Sequence, residues 1–110
     1  MSAAILISRA LSEQVYLEAH GDQLHLVFDK PPADDLMSAL KENKQQVLDE
    51  VNRLQQQWLE RVALLLHRPA EWLLEHSIIE ECDMRELWHT EPRQAAATAK
   101  TGQRWHLANH

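Results

Sequence analysis

Between Val15 and Phe28 apolar and polar residues alternate almost one for one, a pattern found nowhere else in the chain. Val15, Leu17 and Ala19 alternate with Tyr16, Glu18 and His20, then Leu24, Leu26 and Phe28 with His25 and Val27. Each run therefore carries one apolar face at the period of a β-strand. Gly21-Asp22 lies between them, and Gly readily takes the positive φ that a tight reversal needs, so the stretch reads as a β-hairpin. Two strands are marginal in water, so helices must cover their apolar face.

The flanking chain has helical periodicity. Ser2 can cap a first helix with a stripe of Ala4, Ile5, Ser8, Ala10 and Leu11, ending near Ser12 or Glu13. After the hairpin, Pro31 and Pro32 stop strand pairing, and Asp34 and Asp35 suit the N-terminus of a helix carrying Leu36, Met37, Ala39 and Leu40. From about Lys44 a longer pattern begins, with Val47, Leu48, Val51, Leu54, Trp58, Val62, Leu65 and Leu66 mostly three and four apart, up to His67. Two readings of that stripe stand. Val47, Val51, Leu54, Trp58 and Leu65 form the seam of a homodimer, interrupted by Arg61, or they form the core face of a monomer. Gln55-Gln56-Gln57 reads as a solvated face.

Arg68-Pro69 marks the expected boundary. Beyond it, Glu71 to His76 reads as a short helix, Ser77-Ile78-Ile79 as a buried link, and Glu80 to Trp88 as a helix with Cys82, Met84, Leu87 and Trp88 available for burial. Pro92 can start a last helix that runs through Lys100 and stops at Gly102, leaving residues 103–110 frayed apart from Trp105. The prediction is a mostly helical α+β protein. An α-β-β-α-α module with one two-stranded antiparallel hairpin covers residues 1–67, and additional C-terminal helices cover residues 68–110.

Composition narrows the function. The net charge of −6 favours a basic partner over nucleic acid or an anionic membrane, which call for clustered Lys and Arg. Only two glycines argue against a phosphate-cradling loop. One cysteine permits no internal disulfide, and no signal peptide or apolar run of about 18 residues is present, so a soluble cytoplasmic protein is expected.

No catalytic, metal or cofactor constellation emerges. His67, His76, Cys82, His89 and His106 lack the close ligand pairs of a zinc site. Cys82 stands among Glu80, Glu81 and Asp83, which disfavour a thiolate, so it is expected to be a small packing residue without catalytic activity. Trp58, Trp72, Trp88 and Trp105 lack the basic groove that accompanies base stacking. A helix-turn-helix over residues 71–88 would present Glu80, Glu81, Asp83 and Glu86 to phosphates against one Arg85, and Arg93, Lys100 and Arg104 form the one locally basic stretch.

The first half resembles the TubC-type N-terminal docking domain family. The resemblance is carried by Ile5-Leu6 and Leu11, Val15 and Leu17, Gly21-Asp22-Gln23-Leu24, Leu36 and Leu40, and Lys44, Val47-Leu48 and Val51. It implies an α-β-β-α-α module, often homodimeric, that stands at the head of a peptide synthetase and captures the tail of the upstream synthetase along its hairpin. Small free-standing proteins with such a head also resemble accessory proteins of mobile genetic elements.

The leading expectation is a non-enzymatic docking or adaptor module that receives a peptide along its hairpin. Tyr16, Glu18, His25 and Val27 are the candidate partner-binding residues, and Glu18 and Asp22 would favour a basic tail. The alternative is an accessory protein of a mobile element, associated with nucleic acid through its C-terminal helices.

Overall fold

Three helices in this protein end in the same six-residue device, and none of them uses glycine for it. The computed structural model describes residues 2–109, with side chains through Lys100. Helix α1, Ala3–Ser12, stops where Gln14 turns left-handed at φ 61°, the Val15 N–H donating to Ala10 O at 2.8 Å and the Gln14 N–H to Leu11 O at 3.0 Å. Those paired bonds satisfy carbonyls that a helix end leaves open. Helix α3, Lys44–Leu66, ends the same way at His67, φ 56°, with the Arg68 N–H donating to Ala63 O at 3.1 Å. Helix α4, Ala70–Glu75, repeats it at Ser77, φ 54°, with the Ile78 N–H donating to Leu73 O at 2.9 Å.

Between α1 and α3 lie strands β1, Tyr16–His20, and β2, Gln23–Val27, and helix α2, Asp34–Glu42. After α4 come α5, Glu81–Leu87, and α6, Pro92–Asn109. The described residues thus form six helices and one antiparallel hairpin, the mostly helical α+β architecture expected. They divide into two compact units, Met1–Arg53 and Leu54–His110, the division falling inside α3. The Arg68-Pro69 step is where α3 gives way to α4.

The first unit buries Leu6, Ile7 and Ala10 of α1, Val15 and the inward β1 residues Leu17 and Ala19, Leu36 and Leu40 of α2, and Val47, Leu48 and Val51 of α3. α1 packs on both β1 and α2. Its buried stripe is not the one read from sequence. Ile5 is 57% exposed while Leu6 and Ile7 are buried, because both faces of this short helix carry apolar residues and packing chose between them. Ser2 caps the helix, its hydroxyl accepting the Ile5 N–H at 3.3 Å. Arg9 clasps α1 to α2 by donating to Asp35 at 2.8 Å and to Glu13 at 3.0 Å.

The second unit buries Trp58, Leu59, Val62, Ala63 and Leu66 of α3, with Leu73, Ile79, Trp88 and Ala96. Gln55 is also buried, at 6% exposure, so the glutamine run is not wholly a solvated face. Position 55 lies four residues from both Val51 and Leu59, which puts it on the apolar stripe. Of the seam residues, Val47, Val51 and Trp58 are buried within the chain itself, while Leu65 is 37% exposed. Phe28, expected on the hairpin's inner face, is 40% exposed because β2 ends at Val27. Helix α6 continues through Gly102, where a stop was expected, although Gly disfavours a helix interior by about 1 kcal/mol. The expected ordering of Trp105 falls outside the described side chains.

Candidate functional site

The Gly21-Asp22 turn sets the hairpin's register. Gly21 has φ +66°, and positive φ at the first central position alone is the pattern of a type II′ turn, whose twist matches that of the paired strands. Tyr16 then faces Val27, Leu17 faces Leu26, Glu18 faces His25, Ala19 faces Leu24 and His20 faces Gln23. Asn52 of α3 ties the turn down, its Nδ2 donating to Gly21 O at 3.3 Å.

Strand alternation puts Tyr16, Glu18, His20, Gln23, His25 and Val27 together on the outer face. All four candidate residues, Tyr16, Glu18, His25 and Val27, are among them, as two directly opposed cross-strand pairs. Tyr16 is 40% and Val27 48% exposed, His25 is exposed, and Glu18 is half-buried. Glu18 is also engaged, its Oε1 lying 2.9 Å from His20 Nε2. The rings of His20 and His25 stack with centroids 4.0 Å apart and planes 20° from parallel. His25 Nε2 lies 3.3 Å from Gln23 Oε1. The candidate set omitted His20, although it shares the parity of Glu18. Its diagonal approach to His25 appears only once a two-residue turn fixes the register.

The two strands are covered unequally. Leu17 and Ala19 of β1 are 1% and 2% exposed, whereas the corresponding β2 residues Leu26 and Leu24 are only half-buried. The sheet has two strands, so no strand of the described residues runs along the far side of β2. β2 itself carries no Asp, Glu, Lys or Arg, and Asp22 and Asp29, both exposed, bracket it. Residues 1–53 hold nine acidic against five basic side chains, so the first unit is acidic as a whole, with exposed Lys30 next to Asp29.

Other clusters are engaged in local structure. In the second unit Arg68 Cζ lies 4.9 Å from the Trp72 ring centroid, and Trp72 and His76 stack at 4.2 Å. A cleft of about 440 Å³ runs along Ile78, Ile79, Leu87 and Ala95, with Thr90, Thr98 and Asp83 at its margin. These polar groups bond locally, Thr90 donating to Leu87 O at 2.6 Å, Thr98 to Gln94 O at 3.0 Å, and Asp83 accepting the Glu80 N–H at 2.9 Å. Cys82 is exposed and does not fill a packing position, because it lies in the first turn of α5, which buries no residue completely. Partial desolvation, then the carboxylates of Asp83 and Glu80, push its thiol pKa up, the opposite of nucleophile activation. Among the described residues no three His, Cys, Asp or Glu side chains are placed to hold a metal ion, and no helix is long and apolar enough to cross a membrane.

No protein-family model, curated protein or solved structure matches this chain.

Proposed function

We propose that the chain is a non-enzymatic docking module of the cytoplasm in which an extended, basic segment of a partner protein adds as a third strand along β2. The observation that carries this reading is the state of β2. It is an exposed strand with no strand neighbour on its far side and with inward leucines left half-covered. Unpaired edges are usually guarded by charge, proline or a covering element, and β2 has no charged side chain within it. An added strand supplies the missing main-chain partners and lays alternate apolar side chains beside Leu24 and Leu26. Its outward side chains then lie next to Val27 and His25, with Tyr16 and Glu18 one strand further in. Asp22 and Asp29 at the two ends of β2 attract Lys or Arg and repel acidic competitors. The resemblance to TubC-type docking domains, carried by the residues quoted above, points the same way.

Backbone amide exchange tests the proposal with an end-blocked (Lys-Val)4 peptide, an alternating basic strand former, and its (Glu-Val)4 counterpart. The lysine peptide should slow exchange in residues 23–27 and leave the helices unchanged, while the glutamate peptide should bind far more weakly. Protection elsewhere, or unchanged β2 exchange with both peptides, refutes docking on this edge.

A further inference from the structure

The outer face of the hairpin carries a titratable device that strand addition alone does not require. His20 and His25 stack at 4.0 Å, and a single carboxylate, Glu18, lies 2.9 Å from His20 and opposite His25 in the strand register. Among the described residues no other ion pair involves either ring. On the hairpin itself the remaining outer-face residues are Tyr16, Gln23 and Val27, with Asp22 in the turn, and α3 reaches that turn through Asn52, which donates to Gly21 O and is followed by Arg53, paired with Glu50. Helix α1, which packs on β1, contributes Arg9 and Glu13, bonded to each other and, through Arg9, to Asp35. Glu18 can therefore balance one imidazolium but not two stacked ones.

We propose that the His20–His25 pair is a proton gate on the docking edge, which holds a cationic segment along β2 at neutral pH and releases it when both imidazoles are protonated. The inference rests on the docking reading above. With both rings neutral, or His20 alone charged against Glu18, the outer face of the hairpin presents no net positive charge, and the charged groups flanking β2 are Asp22 at the turn and Asp29 with Lys30 beyond Val27. A second proton, on His25, places a cation on the strand that the segment must pair with, and like charges opposed on a sheet are destabilising. The same proton makes the stack self-repelling. His25 relieves the repulsion by moving away from His20 and β1, a movement that can carry its charged ring toward the edge where the segment lies. Charge and shape therefore act in the same direction. Imidazoles are the side chains suited to this task because they change charge between about pH 5 and 8.

The test measures the dissociation constant of labelled, end-blocked (Lys-Val)4 by fluorescence anisotropy at about pH 7.5 and about pH 5.5, a span that brackets imidazole titration, on the full chain and on His25→Gln and His20→Gln. The expected result is binding at least tenfold weaker at the lower pH for the native chain. His25→Gln should keep its affinity within about twofold across the span. His20→Gln, which removes the stack and leaves a lone His25, should show an intermediate loss. Equal affinity at both pH values in the native chain, or an undiminished pH response in His25→Gln, overturns the gate while leaving docking intact. Absence of binding at both pH values, with β2 amide exchange unchanged, overturns the docking reading and the gate with it. Far-UV circular dichroism at both pH values separates release from unfolding. Loss of the helical signal at the lower pH in parallel with binding also overturns the gate.

Discussion

Replacing Gln14, His67 and Ser77 by glycine, singly and together, should stabilise the protein. Each holds a left-handed backbone at φ 61°, 56° and 54°, one residue past the cap of its helix. The left-handed region costs an L-residue about 1–2 kcal/mol, which glycine avoids. Glycine also enlarges the unfolded ensemble, which returns about 0.4–1 kcal/mol of that gain. The net is about 0.5–1 kcal/mol per site. All three side chains are exposed, so little packing is lost. The sites share no hydrogen-bond partner, so their effects should add to about 2 kcal/mol. For a chain of this size that corresponds to a rise in melting temperature of order 10 °C. Thermal unfolding followed by far-UV circular dichroism reads it, and tryptophan fluorescence isolates the second unit for His67→Gly and Ser77→Gly.

Gly21→Ala is the mirror experiment. Nothing lies within 4 Å of the added Cβ, so its cost is the φ of +66° alone. It should lower stability by about 0.5–1 kcal/mol, the same balance with the sign reversed. If glycine content alone governed stability, all four substitutions would move in the opposite directions. That result, or no change at all four, would refute the left-handed caps and the turn together.

The Arg9 guanidinium holds the Asp35 carboxyl below the usual carboxylate range, chiefly through their hydrogen bond. A pKa lowered in the folded state gives stability that is present above the unfolded carboxylate range and lost as pH falls through the folded value. Urea midpoints at about pH 7 and about pH 3 should therefore converge in part in Asp35→Asn, which has no such carboxylate to protonate. Burial pushes the His89 imidazole down. The neutral ring is thus favoured in the folded state, and its contribution is lost as pH falls below the ordinary histidine range. His89→Gln should flatten the stability profile over that span, as denaturant titrations at stepped pH would show. Cys82, exposed but with its thiol pKa raised, should react with iodoacetamide at neutral pH more slowly than free cysteine, and Asp83→Asn should speed it.

Much of the architecture is local and therefore legible in the chain. Period-two alternation and Gly21-Asp22 located the hairpin and its turn, and α3 ends at Leu66, one residue short of the limit read from its apolar spacing. The ends of α1, α3 and α4 fall within a residue of where the sequence puts them, but the left-handed device that closes them was not legible, since Gln14, His67 and Ser77 stand where a glycine normally signals a stop. Gly102, which does resemble such a signal, lies inside α6. The acidic flanks of Cys82 argue against a reactive thiol and so for a packing role, but the neighbours needed to cover it would have to come from elsewhere in the fold, and Cys82 is exposed.

In the hairpin, strand periodicity is enough to assign residues to a face, because side-chain direction in a strand repeats every two residues whatever surrounds it. Tyr16, Glu18, His25 and Val27 were legible as one face for that reason. Tertiary structure decided what that face is next to. Packing by α1 buries β1 and leaves the leucines of β2 half-covered, and the register set by Gly21 brings His20 diagonally onto His25. Both outcomes depend on contacts between residues that no local period relates. The alternation could therefore specify a strand, while only the fold could leave one of its edges uncovered.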